Sequence, residues 1–190
     1  MSLLQQVKNC TICAENLPHE PRPVITVHPE ARILIIGQAP GRKVHASGIP
    51  WDDASGRNLR KWLDVTPEEF YDATKFGIIP MGFCYPGTGK TGDLPPRPEC
   101  APKWHEPLLK MMPKIKLTLL IGMYAQKYYL GKKRKRTLTE TVNHWEEYLP
   151  NYLPIPHPSP RNGIWMRKNP WFEKDIVPFL KGKVEEALKG

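Results

Sequence analysis

An α/β fold built on a mainly parallel sheet is predicted by three observations. Short apolar runs rich in β-branched residues recur along the chain, helix-like stretches separate them, and each run leads into a segment of unusual residues. The first run, 32–36 (RILII), reads as a buried parallel strand ended by Gly37. Runs 76–80 (FGIIP) and 117–121 (LTLLI) repeat the pattern, and 152–155 (YLPI) is a weaker fourth strand leading into His157. Helices are expected at 56–63, 101–112, 123–130, 138–148 and 171–188, the last interrupted at Pro178. Ligands of such sheets bind beyond the carboxyl ends of the strands. That rule gathers 37–41 (GQAPG), Cys84, Gly122 and 157–162 (HPSPRN) along one edge.

With 190 residues the chain is large enough for a real core, and one domain spanning 1–190 is expected. Its formal charge of +9 suits a polyanionic partner such as DNA or RNA. The 22 prolines cluster at 18–29, 95–102 and 150–160, which marks long ordered loops between the apolar runs. No charged n-region and apolar h-region opens the chain, and its apolar runs are too short to span a bilayer. A cytoplasmic protein without membrane contact is therefore expected.

The only cysteines are Cys10, Cys13, Cys84 and Cys100, with two residues inside the first pair, seventy between the pairs and fifteen inside the second. Thiolates bind soft metals, and four of them can close a tetrahedral zinc site or hold one cubane iron–sulfur cluster. Two disulfides would suit a secreted chain, and four unrelated buried thiols are the blander alternative.

The segment 86–91 (PGTGKT) imitates the end of a phosphate-binding P-loop, but the pattern requires glycine where Cys84 stands. It also requires a helix immediately after the lysine, and 92–98 (GDLPPRP) carries three prolines instead. Nucleotide hydrolysis is set aside on both counts.

Taken together, the segment from Gly37 (GQAPGRKVHASGIPWDDASG), the HPSPRN from His157 and the cysteine spacing resemble the uracil-DNA glycosylase superfamily, nearest to its iron–sulfur families four and five. Family four shows GEAPG, then GRPF, then GxLL, and 37–41, 48–51 and 56–59 fit these in order. The resemblance implies a three-layer α/β/α sandwich with a four-stranded parallel sheet, a monomer, and removal of a deaminated base from DNA. It further implies that Cys10, Cys13, Cys84 and Cys100 hold a [4Fe-4S] cluster, with zinc as the alternative.

Cleavage of an N-glycosidic bond develops positive charge on the sugar and negative charge on the departing base. The target nucleotide must first leave the base stack and be held by stacking and edge hydrogen bonds. By resemblance, the turn of Gly37, Gln38 and Ala39 offers backbone amides to the base, and Trp51 supplies the stacking face. His157 stabilises the leaving base oxygen, an oxyanion-type role. Gln38 stands where family four has its first glutamate and is counted with the catalytic set.

The water-directing acid is assigned to Asp53, in a DASG that resembles family five, with Asp52 or His45 as substitutes. Asp53 also suits an N-cap for the helix after it. Pro80 occupies the position of a base-reading asparagine in family four and has no side-chain donor, so the substrate is expected to be broader or different, or catalysis weak. Ser159, Arg161 and Asn162 are expected to contact DNA, in a loop whose counterpart in the superfamily inserts into the duplex. The basic run 132–136 (KKRKR) reads equally as a phosphate contact or a solvated loop. Two rivals remain: a non-catalytic nucleic-acid-binding member of the same fold, and a zinc-stapled enzyme acting on free nucleosides or RNA.

Overall fold

The β-branched runs are the most deeply buried parts of the molecule: Ile33, Leu34, Ile35 and Ile36 are all at most 1% exposed. In the computed structural model, which describes residues 1–189, they form the first of six strands. In chain order the elements are α1 (Leu3–Lys8), β1 (Ile33–Ile36), α2 (Arg42–Ser47), α3 (Ala54–Leu63), α4 (Pro67–Phe70), β2 (Phe76–Ile78), β3 (Thr88–Gly89) and β4 (Gly92–Asp93). They continue with α5 (Cys100–Lys110), β5 (Leu117–Ile121), α6 (Met123–Leu130), α7 (Leu138–Asn143), β6 (Leu153–Ile155), α8 (Gly163–Lys168) and α9 (Val177–Lys189).

Four strands make one sheet in the order β2-β1-β5-β6, and every neighbouring pair is parallel. Ile33 stands between Phe76 and Leu117, and Leu119 pairs with Leu153. Side chains alternate across a strand, so β1 sends Ile33 and Ile35 to one face and Leu34 and Ile36 to the other. The first pair packs with Leu59 and Leu63 of α3 and Leu180 and Val184 of α9. The second packs with Leu108 of α5, Ala125 and Leu130 of α6 and Val7 of α1. A sheet apolar on both faces must be covered on both, and the result is the expected three-layer α/β/α sandwich. Truncating any one of these leucines or isoleucines to alanine would cost about 2–5 kcal/mol.

Most elements differ from the sequence reading by two residues or fewer at an end, and two of the helical stretches differ more. The stretch 138–148 divides: α7 ends at Asn143 and a 3-10 turn, Trp145–Tyr148, completes it. Pro178 does not end the last helix, which passes without a break from the preceding turn into α9, Val177 N–H donating to the Phe172 carbonyl. The irregularity comes earlier, as a π-helical turn at Phe172–Ile176. The segment that imitates a P-loop forms a small antiparallel hairpin, with Thr88 opposite Asp93 and Gly89 opposite Gly92. Gly87 and Gly92 take positive φ values of 105° and 139°, which no β-carbon would readily permit. No helix of the described residues is long and apolar enough to cross a membrane.

Candidate active site

Beyond the carboxyl ends of β1 and β2 lies a cleft of about 490 Å³. Its floor is the turn after β1, Gly37 to Gly41, and its walls are Trp51, Asp53, Pro80, Asp93 and His157. The backbone of the turn is fixed from one side: the carbonyls of Gly37 and Gln38 accept from Met81 N–H at 2.9 Å and Gly82 N–H at 3.0 Å. In a trans peptide the N–H opposes the C=O, so the amides of Gln38 and Ala39 point away from that extension of β2. The Gln38 side chain reaches across to the Leu94 carbonyl at 3.4 Å.

Trp51 is held in an unusual conformation. Its φ is +57°, a left-handed backbone that a bulky residue adopts at a cost of about 1–3 kcal/mol. Two glycines make room for it. A β-carbon at Gly37 would stand 2.9 Å from Trp51 Cζ2, and one at Gly56 would stand 1.7 Å from the Trp51 carbonyl oxygen. Arg60 donates to that carbonyl at 3.3 Å. The indole meets the His157 ring at 5.6 Å between centroids, tilted by 34°.

His157 leaves the end of β6 on a loop that three polar side chains pin. Asn162 Nδ2 donates to the His157 carbonyl at 2.7 Å, and Asn58 Nδ2, from α3, donates to the Pro158 carbonyl at 3.0 Å. Gln126, buried at the start of α6, donates to the carbonyls of Leu120 and Ile155 at 3.2 and 3.0 Å, clamping the ends of β5 and β6 together. Burial lowers the pKa of His157, against the charges of Asp53 and Asp93, which raise it. The imidazole is therefore neutral at neutral pH, a donor without the cost of a second proton.

Asp53 performs the expected capping, its Oδ1 accepting from Gly56 N–H at 2.8 Å, and it lines the cleft at the same time. Capping occupies one oxygen and leaves Oδ2 for other partners. Asp52 is exposed and is not on the cleft wall. His45 faces the other way: its ring stacks on His19 at 5.3 Å and meets Tyr85 at 5.9 Å. Ser159 and Arg161 line the cleft with Arg42 and Lys43, whereas Asn162 spends its amide on the His157 loop.

Asp93 was not singled out by sequence reasoning, nor were Asn58 and Gln126. Asp93 belongs to the hairpin that replaces a P-loop, and its Oδ2 lies 3.3 Å from where a β-carbon of Gly41 would be. Thr88 Oγ1 donates to Asp93 Oδ1 at 3.4 Å and bonds the Tyr85 hydroxyl at 2.5 Å. The available signal was the hairpin pattern of glycines flanking a lysine and a threonine, the same residues that imitate a P-loop.

Pro80 is buried on the cleft wall, and its carbonyl is bonded by His105 Nε2 at 2.9 Å. A carbonyl can only accept, so Nε2 carries the proton and Nδ1 accepts from the Tyr129 hydroxyl at 2.6 Å. This cleft wall is therefore tied to α5, the helix that begins with Cys100.

All four cysteines are free thiols, and Cys13, Cys84 and Cys100 are buried. Burial first, and then the charges of Cys10 and Cys13, push Cys84 up to about 11 and Cys100 up to about 12. The thiols thus feel one another across a common interior, and Phe83 N–H donates to Cys100 Sγ at 3.4 Å. Among the described residues no three His, Cys, Asp or Glu side chains are drawn together tightly enough to hold a single metal ion. The N-terminal segment that carries Cys10 and Cys13 also grips α2: Arg22 Nη1 donates to the carbonyls of His45 and Ala46 at 2.6 and 2.8 Å.

The family model of the uracil DNA glycosylase superfamily matches residues 25–181, most of the chain and every element of the cleft. The chain belongs to that superfamily. In this chain the parallel sheet, the turn after β1 and the histidine loop after β6 form one concave site, and members of the superfamily act on DNA.

Proposed function

We propose that this protein is a DNA glycosylase that removes uracil or another deaminated base from DNA by hydrolysing the N-glycosidic bond, a step of base excision repair. The observation that carries the reading is the convergence of an indole face, a neutral imidazole and two carboxylates on one cleft beside a backbone turn. The flipped base stacks against Trp51, and the amides of Gln38 and Ala39 donate to its carbonyl oxygens. As the C1′–N bond breaks, its electron pair departs with the base, and His157 donates a hydrogen bond to the oxygen that gains the charge. Asp53 Oδ2 orients the attacking water and takes its proton as the oxygen bonds to C1′. The Asp53 and Asp93 charges both oppose the positive charge developing on the sugar. Gln38 holds the turn in place through the Leu94 carbonyl. Ser159 and Arg161 contact the backbone beside the lesion.

Cys10, Cys13, Cys84 and Cys100 would hold a [4Fe-4S] cluster, whose contribution is to fasten the N-terminal segment to the body of the protein; zinc is the alternative. The fit rests on a soft, all-thiol donor set, free of disulfides, one member of which already receives an N–H···S bond. Through Arg22 that staple also fixes the end of α2, whose first turn borders the cleft. The protein is taken as one domain of residues 1–190, monomeric and cytoplasmic.

A second reading, a non-catalytic DNA-binding member of the same fold, draws support from Pro80 and Ala39, neither of which supplies a side-chain polar group to the base. Single-turnover assays on single-stranded and duplex oligonucleotides carrying uracil, hypoxanthine or xanthine separate the two. Alkali-labile product at one of these bases establishes the glycosylase; retained DNA binding with no product on any of them establishes the second reading.

A further inference from the structure

A shallow, open surface of about 470 Å³ is lined by Lys127, Gly131, Lys132, Arg134, Lys135 and Arg136. Apart from the glycine its lining is cationic. Only Lys135 has a carboxylate partner within ion-pair distance among the described residues, Glu147 at 2.6 Å. The nearby Glu140 is engaged at the α7 N-terminus, where it accepts from Thr137 N–H at 3.1 Å. Glu146 is exposed on the following turn and leaves the balance strongly positive.

This run is not a free loop. The Lys133 carbonyl accepts from the buried Tyr148 hydroxyl at 3.1 Å, and Lys135 N–H donates to Oγ1 of the buried Thr141 at 3.2 Å. The backbone is pinned while the charges of Lys132, Arg134 and Arg136 stand exposed. A solvated loop has no need of two buried anchors, whereas a preorganised cationic cradle loses less entropy when it binds.

Its location separates it from the cleft. Helix α6 starts beside Gly122, at the carboxyl edge of the sheet near His157, and runs back to Gly131. Tyr148, which holds Lys133, accepts from Tyr152 N–H just ahead of β6. The cradle therefore sits at the opposite edge, a strand length of about 16 Å from the cleft edge. A duplex seated on the cleft that also contacted this edge would have to follow the surface around it, and bending a site in that way costs about 1–6 kcal/mol.

We propose that this cradle is a second nucleic-acid site that binds the phosphate backbone of a segment separate from the one in the cleft. The choice of nucleic acid among polyanions rests on the DNA reading given above. A protein holding two segments at once can pass between them without dissociating, which suits a search for rare lesions in a large excess of intact DNA.

The test is a bridging assay with the full chain. Protein is captured on an immobilised duplex bearing uracil, and retention of a second, labelled, undamaged duplex is measured. Wild type retains the second duplex; the variant Lys132→Glu/Arg134→Glu/Arg136→Glu binds the immobilised duplex but loses at least tenfold in retention of the second. Its slope of log affinity against log salt for the undamaged duplex becomes shallower by about 2 to 3, at about 0.9 per lost phosphate contact. Tyr148→Phe, which removes one of the two anchors but keeps every charge, weakens retention severalfold. The assay reads binding alone, so it is informative even if the protein cleaves nothing. Failure of the wild type to bridge overturns the proposal and turns the patch toward an acidic protein surface. Equal loss of both duplexes in the charge-reversed variant also overturns it, because the cradle would then belong to a single footprint.

Discussion

Mild acid should destabilise this protein chiefly through His105. The side chain is 2% exposed, stacked on Phe83 at 5.7 Å between centroids, and bonded at both ring nitrogens. Burial lowers its pKa from 6.5 to about 4, with the Pro80 carbonyl opposing the shift. A group whose folded pKa lies below its unfolded value binds more protons when unfolded throughout the window between the two, so stability falls as pH falls from about 6.5 toward about 4. At 1.36 kcal/mol per pH unit the full loss is about 3 kcal/mol, of which about 2 kcal/mol is gone by about pH 5. The assay is urea unfolding near pH 7 and near pH 5, for wild type and His105→Gln. The variant starts about 1–3 kcal/mol less stable because the Pro80 carbonyl and Tyr129 hydroxyl lose their partner, yet it is missing the steep titration. His45 and His157 are also shifted downward and titrate in both proteins, so they cancel in the comparison. Parallel stability losses in the two proteins would refute the assignment.

Gly56→Ala places a β-carbon 1.7 Å from the Trp51 carbonyl oxygen and must displace the indole; indole fluorescence should change and single-turnover cleavage should slow by more than tenfold. His157→Ala is expected to slow cleavage by about 10²–10³ while leaving binding of undamaged DNA close to wild type. Asp53→Asn keeps a capping side chain and so the melting temperature, but slows cleavage by more than tenfold, whereas Asp53→Ala additionally loses about 1 kcal/mol of stability. Asp93→Asn, measured alongside, ranks the two carboxylates; no effect from either would remove both from the mechanism. Cys84→Ser or Cys100→Ser should abolish visible absorption in freshly purified protein and lower its melting temperature.

The strands were legible because a parallel sheet covered on both faces leaves a plain trace, four short runs with hardly a polar atom. Helix ends were less so. The break after Asn143 and the π turn before Val177 are not revealed by the apolar periodicity of these stretches. Helix α2 escaped notice because six residues with one buried side chain, Val44, carry no periodic signal. Among site residues, Gly37, Gln38, Ala39, Trp51, Asp53 and His157 could be picked out because each belongs to a local motif, and the cleft unites them. Asp93 could not, since nothing near it in sequence says that the hairpin of 88–93 folds over Gly41. His45 shows the converse: its motif position suggested the cleft, and the aromatic stack with His19 and Tyr85 turned it toward the cysteine-bearing segment.

The chain by itself therefore determined the α/β class, the edge of the sheet where chemistry would lie, and the residue types that could perform it. These depend on local spacing and on the apolar pattern, both of which are written in order along the polypeptide. Tertiary structure alone decided that Asp53 both caps α3 and faces the cleft, that Asp93 joins it there, that His105 braces Pro80, and that the basic run stands at the far edge of the sheet. Each of these follows from contacts between segments distant in sequence, and such contacts are set by packing, which leaves no mark in the local pattern.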